Sequence, residues 1–161
     1  MSDSPAKSEP VKPERAKKPP RLSSGVVVCR LTDSGLLFLL LRAFNHWDFP
    51  KGMVEQGETP FEAAVREVNE ETTIDDLTFP WGDEYTETGP YSKNKVARYY
   101  IGRTETAKVE ILINPDLGRA EHSEYRWVTV AEARQLVAPR VDRVIDWALT
   151  QLPADMVSKL S

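Results

Sequence analysis

Thr59-Pro60-Phe61-Glu62 is a helix start that leaves the chain little freedom. Threonine can accept a bond from a free N–H of the first turn, and proline presets φ at the first helical position. Glutamate three residues after the threonine can bond back to its backbone, completing a capping box. Downstream, Phe61, Ala64, Val65, Val68 and Thr72 fall on one face at about 100° per residue, so a helix beginning at Pro60 must lay this stripe on a core. The flank beside that stripe is acidic. Glu67, Glu70 and Glu71 stand three and four residues apart, where like charges destabilise a bare helix. Arg66, four residues from both Glu62 and Glu70, relieves part of the repulsion but cannot neutralise four acids.

The core such a helix requires is visible on either side. Gly25 to Leu31 and Leu36 to Leu41 read as two buried strands joined by Thr32-Asp-Ser-Gly35, a hairpin. Trp47-Asp-Phe49 is a short extended piece ended by Pro50. Strand patterns recur at Leu77 to Phe79, Lys95 to Gly102 and Tyr125 to Val130. Helical patterns return at Val130 to Val137, with Thr129 and Glu132 in capping-box relation, and at Val141 to Leu152, with Pro139 between the two. This order lacks the regular alternation of a doubly wound sheet. The expected class is α/β in the broad sense (α+β), a mixed sheet between helices.

The chain has 161 residues, enough for one domain. Its first 23 residues hold five of the twelve prolines, six Lys or Arg and three acids, and almost nothing apolar. Such a segment cannot bury enough surface to offset ordering, so residues 1–23 are expected to be a disordered basic tail and residues 24–161 the folded domain. The tail carries +3 and the whole chain −4, which leaves −7 on the remaining 138 residues. An acidic domain of this kind repels an anionic substrate unless cations are gathered locally. The single cysteine, Cys29, excludes an intramolecular disulfide and a cysteine-based zinc cluster. No apolar run approaches the about 20 residues that cross a bilayer, and no secretory signal pattern is present. No membrane partner and a cytoplasmic location are expected.

Glutamates on a helix are by themselves an ordinary solvated face. Two glycines change the reading: Gly52 and Gly57 bracket the loop before the helix, letting backbone approach a bound ion and helping to aim the carboxylates. Hard oxygen donors crowded in this way suit Mg²⁺, which takes a few carboxylates together with waters and phosphate oxygens.

From Gly52 the order is five residues, Glu58, seven residues, then Arg66-Glu67-Val68-Asn69-Glu70-Glu71-Thr72-Thr73-Ile74. This resembles the Nudix box, G-x5-E-x7-R-E-U-x-E-E-x-G-U with U bulky and apolar. One position departs. Thr73 stands where the family has the glycine that closes the helix in the left-handed conformation. The resemblance covers residues 24 to about 152 and implies the Nudix α/β/α sandwich.

It also implies an activity, hydrolysis of a phosphoanhydride bond by water with divalent metal, one to three Mg²⁺ or Mn²⁺ ions. Carried over by position, Glu67, Glu70 and Glu71 are metal ligands and catalytic carboxylates, and Gly52 contributes backbone to the metal site. Glu58 and Arg66 are accessories. A further glutamate from a later loop would be a metal ligand or general base. Glu121 or Glu124 can supply it. Glu121 is preferred, because Glu121-His122-Ser123-Glu124-Tyr125-Arg126-Trp127 is similar to the segment of asymmetric diadenosine tetraphosphate hydrolases in which a glutamate precedes a strand ending Tyr-Arg-Trp.

Phe49-Pro50-Lys51-Gly52 is similar to the lead-in of the same hydrolases, and Lys51 would meet phosphate, assisted by Lys93, Lys95 and Arg98. A purine needs a flat partner, for which His46, Trp47, Tyr85, Tyr91 and Tyr99 are candidates; of Tyr99 and Tyr100, one is expected to be packing. Trp127 and Trp147 are assigned to the core. The resemblance therefore implies asymmetric hydrolysis of diadenosine tetraphosphate, a small nucleotide, to ATP and AMP. Alternatives within the same chemistry are pyrophosphate removal from an RNA 5′ end, and hydrolysis of diphosphoinositol polyphosphates or modified nucleoside triphosphates. A different class would be a non-catalytic nucleotide sensor. Oligomeric state is not legible.

Overall fold

A computed structural model describes residues 20–158. The segment read as a basic tail lies outside the described residues except for its last four positions. Arg21, Leu22 and Ser23 belong to the first strand, β1 (Arg21–Thr32), which runs parallel to β6 (Lys95–Arg103) with Arg21 opposite Lys95. The folded unit thus starts before Ser24, because a distant strand supplies backbone partners that composition does not reveal.

β1 turns through Asp33 and Ser34 into β2 (Gly35–Ala43), as the hairpin reading expects. Two short strands then follow, β3 (His46–Asp48) on β2 and β4 (Lys51–Met53) on β1. β5 (Tyr85–Tyr91) pairs with β6, and β9 (Glu124–Val128) with β2. The main path is β3-β2-β1-β6-β5, giving a seven-stranded mixed sheet in which β1 and β6 are the parallel pair. β7 (Ile113–Asn114) and β8 (Arg119–Ala120) make a separate ribbon.

The helices are α1 (Pro60–Thr72), α2 (Val130–Leu136), α3 (Pro139–Gln151) and α4 (Ala154–Ser158). Both expected capping boxes are formed, Thr59 with Glu62 and Thr129 with Glu132. Pro139 does not separate two helices at a distance but opens α3, where its missing N–H costs nothing. No described helix is long and apolar enough to cross a membrane.

The continuous apolar runs of β1 and β2 exist because both faces of the sheet are covered. Val27, Cys29, Phe38, Leu40, Tyr99 and Ile101 point to one face, where α3 adds Val141, Val144, Ile145 and Ala148. Val26, Val28, Leu39, Leu41 and Tyr100 point to the other, against Ala64 and Val68 of α1. Side-chain alternation along each strand divides one sheet between two cores, the sandwich expected. Within α1 the fully buried residues are Ala63, Ala64, Val68 and Thr72, while Phe61 and Val65 sit at the margin. Phe61 packs on Phe79 and Tyr100, with ring centroids 4.6 and 5.1 Å apart.

Three expectations differ. Leu77 to Phe79 is not a strand but a single bridge in which Thr78 and Arg103 exchange backbone bonds of 2.9 and 2.8 Å. β5 was not expected, since Gly89-Pro90 within it reads as a turn; its register with β6 shifts there. Trp127 and Trp147 are only half-buried at the edges of the two cores. Trp127 donates its indole N–H to the Ala107 carbonyl at 2.8 Å.

Gly25 sets the position of β4. A Cβ there would lie 2.2 Å from the Pro50 carbonyl oxygen, and its absence lets that oxygen accept the Val26 N–H at 3.2 Å. Lys51 and Gly52 are thereby held on β1, beside α1.

Candidate active site

The acidic flank of α1 faces β4 at contact distance. A Cβ on Gly52 would stand 2.1 Å from Cδ of Glu67 and 2.2 and 2.4 Å from its two oxygens. Only glycine leaves room for that carboxylate. Arg66 Nη1 donates to Glu67 Oε2 at 2.8 Å. The Lys51 N–H donates to Glu71 Oε1 at 3.2 Å, so β4 fixes both carboxylates from one side.

Burial pushes the Glu71 carboxyl well above the usual carboxylate range, and the negative charges of Glu67 and Glu121 push it further. Burial likewise raises Glu67, against the opposing effect of Arg66. Glu121 comes to this cluster from the loop after β8. One ligand atom each from Glu71, Glu121 and His122 lie within 4.8 Å of one another. Burial lowers the His122 imidazole below its ordinary value. No role had been assigned to His122 from sequence; its adjacency to Glu121 was the available signal. Glu67, Glu70, Glu71, Glu121 and His122 line a cavity of about 630 Å³ together with residues 111–116.

Arg66 organises the rim. It donates to Glu58 at 2.6 and 3.0 Å, to Glu70 at 3.0 Å and to the Met53 carbonyl at 3.0 Å. Hydrogen bonding to Arg66 holds the Glu58 carboxyl below its usual value. Glu58 also accepts the Glu55 N–H at 3.0 Å and so ties the loop to the helix, in keeping with an accessory place. Glu62 does not engage Arg66 as expected, because it is used in the capping box, accepting the Thr59 N–H at 2.9 Å. Glu70, more than half exposed, sits at the edge of the cluster.

Glu124 does not join. It lies on β9, bonded to Arg42 at 3.2 Å and Arg126 at 3.0 Å, and Arg126 lowers its carboxyl. Of the two loop acids, Glu121 is the one gathered with Glu71.

A cationic row adjoins the carboxylates. Lys51 is 3.5 Å from Asp48; burial opposes its charge, but Asp48, Tyr91 and Glu71 together hold it above the ordinary lysine value. Lys95 is lowered, first by burial and then by the nearby charges of Lys51, Arg21, Lys93 and Arg140. Lys51, Lys93 and Lys95 are therefore brought together, along with Arg21 and Arg140, which had not been singled out.

Arg98 is not part of this row. Lys95 and Arg98 are three apart on β6 and so point to opposite faces. Arg98 pairs with Glu87 at 2.8 Å, and its guanidinium lies 3.9 Å from the Tyr85 ring centroid. Its charge is committed there.

The aromatic candidates separate by burial. Trp47 is 8% exposed in the α3-side core with Arg126 4.8 Å from its ring centroid, so it is a packing residue, not a stacking platform. Tyr99 and Tyr100 are both buried, where one had been expected. His46 is exposed on β3. Tyr91 is half-buried beneath the Arg140 guanidinium, 4.2 Å from its ring centroid.

At the end of α1, Thr73 adopts φ 66° and ψ 4°, the left-handed geometry for which glycine is usual, and its N–H bonds Asn69 O at 2.9 Å. The helix therefore ends as a glycine would end it, at a local conformational cost.

Comparison with known proteins places these features in context. A family model described as NUDIX domain matches residues 19–148. The asymmetrical bis(5'-nucleosyl)-tetraphosphatase of Mus musculus is 33% identical over 116 residues, 68% of this chain and 76% of that protein. The RNA pyrophosphohydrolase of Bartonella clarridgeiae is 32% identical over 106 residues, 56% of this chain and 61% of that protein. Among solved structures, a C. elegans Ap4A hydrolase binary complex superposes with a TM-score of 0.68 at 24% identity, covering 80% of this chain and 96% of that one. That last likeness is one of fold.

Proposed function

The chain belongs to the NUDIX family, and from that premise we propose that it hydrolyses a dinucleoside tetraphosphate asymmetrically, giving ATP and AMP from diadenosine tetraphosphate, with Mg²⁺ at its carboxylate cluster. The chemistry is that of a hydrolase acting on phosphoanhydride bonds. The carboxylate cluster of Glu67, Glu71 and Glu121, with Lys51 beside it, carries this reading. The Lys51 backbone N–H bonds Glu71, and its ammonium, 3.5 Å from Asp48, stands near enough to Lys95 to lower that lysine, so the carboxylate cluster and a group of cations adjoin one residue.

The residues present fit a hard divalent ion. Glu71 is half-buried with Glu67 and Glu121 close by and accepts the Lys51 backbone N–H, an excess of negative charge that oxygen-seeking Mg²⁺ relieves. Glu67, Glu70, Glu71 and Glu121 would hold it, with Gly52 keeping space for the Glu67 carboxylate. A bound ion there supplies charge neutralisation of phosphate oxygens and acidification of a water.

The chain's own groups do the rest. Lys51, Lys93 and Lys95 draw the polyphosphate against a domain that is otherwise acidic. A Glu121 carboxylate oxygen accepts the proton of the attacking water as the water oxygen bonds to phosphorus. The P–O bond opposite breaks, and the leaving phosphate departs with its electron pair. The alternative of a non-catalytic sensor leaves the complete carboxylate set without use.

A second reading, removal of pyrophosphate from an RNA 5′ end, has the support of the RNA pyrophosphohydrolase relatives. Parallel incubations with diadenosine tetraphosphate, triphosphorylated RNA and a diphosphoinositol polyphosphate, each with and without Mg²⁺, separate these. Formation of ATP and AMP only when Mg²⁺ is present is the expected result. Preferential turnover of RNA would replace the first reading with the second.

A further inference from the structure

Arg140 is placed where elementary electrostatics disfavours it. It is the second residue of α3, at the positive end of the helix dipole, and its side chain is only 20% exposed. Three polar side chains hold it there: Nη1 donates to Thr88 Oγ1 at 2.8 Å and to Tyr99 Oη at 2.9 Å, and Nη2 donates to Asp48 Oδ2 at 3.0 Å. Buried groups of this kind persist when each is satisfied by the others.

Asp48 is the hub. It accepts the Phe49 N–H at 2.7 Å and the Tyr99 hydroxyl at 3.0 Å, besides Arg140. Lys51 Nζ also lies 3.5 Å from it, across a turn that Pro50 stiffens. Lys51 is drawn towards Asp48, Tyr91 and Glu71 and repelled by Arg140. Without Asp48, the strongest remaining attraction among carboxylates is Glu71, a residue of the ion site. An ammonium seated on Glu71 would occupy the charge that a divalent cation needs and would withdraw from the phosphate chain.

We propose that Asp48, locked by Tyr99 and Arg140, is a positioning residue that holds the Lys51 ammonium off Glu71 and towards the substrate's phosphates. The proposal rests on the polyphosphate reading above. It couples α3 to a site built by α1 and β4.

The test is a double-mutant cycle with two readouts on the full chain, KM for diadenosine tetraphosphate and Mn²⁺ affinity followed by electron paramagnetic resonance. Lys51→Met removes a charge-assisted contact and is expected to raise KM about ten-fold. Asp48→Asn raises KM roughly five-fold and weakens Mn²⁺ binding several-fold, with kcat at saturating Mn²⁺ changed less than KM. On the Lys51→Met background Asp48→Asn adds nothing to KM, and Mn²⁺ binding returns to the Lys51→Met value. Tyr99→Phe deletes one hydroxyl and keeps the ring, so it serves the same cycle with a smaller effect if Asp48→Asn does not fold. Effects of Asp48→Asn or Tyr99→Phe that persist undiminished without Lys51 would overturn the proposal, as would no effect in either readout. If Lys51→Met leaves KM unchanged, the phosphate role of Lys51 falls, while the Mn²⁺ arm still decides the positioning.

Discussion

Replacing Gly52 with alanine tests the site through a single methyl group. The added Cβ would lie 2.1 Å from Cδ of Glu67 and within 2.4 Å of both oxygens. Bringing the nearest atom out to an ordinary contact of about 3.4 Å requires the Glu67 carboxylate to move by about 1.3 Å, a distance that breaks ligand geometry. The displaced atoms are the end of a flexible side chain, so the backbone of β4 and α1 stays in place. A misplacement of about 1 Å costs on the order of 100-fold in rate, or about 2.7 kcal/mol of transition-state stabilisation. Steady-state hydrolysis of diadenosine tetraphosphate at saturating Mg²⁺, alongside circular dichroism and thermal melting, measures both parts. Expected are a kcat lowered about 100-fold and an unchanged spectrum. A Gly52→Ala enzyme that turns over at the wild-type rate would refute the claim that this carboxylate works from this position.

Three further outcomes follow from particular residues. Thr73→Gly relieves a left-handed threonine and is expected to stabilise by about 1 kcal/mol, raising Tm by about 2–4 °C in calorimetry; a fall would show that the threonine's own bonds outweigh the strain. Glu71 is raised well above the ordinary glutamate value of about 4.3, so above that pH this carboxyl binds more proton in the folded than in the unfolded chain and its contribution to stability falls as pH rises. Urea unfolding in chelator is therefore expected to show wild type losing stability relative to Glu71→Gln as pH rises above the ordinary glutamate value, and saturating Mg²⁺ to reverse the loss; a difference independent of pH and metal would count against it. Glu121→Gln is expected to lower kcat by about 100-fold or more, and Glu124→Gln, which breaks only pairs with Arg42 and Arg126, to stay within about two-fold; the opposite order would exchange their roles.

What the sequence made legible was local. The capping box, the proline at the first helical position and the apolar stripe of α1 act over a few residues, and all three recur in the structure. The acidic flank was legible for the same reason, since helix geometry alone sets glutamates three and four apart side by side. Alternation along β6 separates Lys95 from Arg98, because residues three apart on a strand take opposite faces. Trp47 was misread because β3 is three residues long, too short for alternation to reveal which face its ring takes. Arg140 was illegible in principle: it meets Asp48 across 92 positions, and nothing in α3 announces that its first turn faces β5 and β6. Arg21 was hidden by its neighbours, the prolines and lysines that precede it, until the parallel pairing with β6 was seen.

The central claim is that carboxylates on one turn of α1, joined by Glu121, capture a divalent cation. Titration of Mn²⁺ into the chain, read by electron paramagnetic resonance for wild type, Glu67→Gln and Glu71→Gln, tests it without reference to any substrate. Binding by the wild type is expected, with a loss of about ten-fold or more in each variant and the fold intact. Equal affinity in all three proteins, or no binding by the wild type, would contradict it.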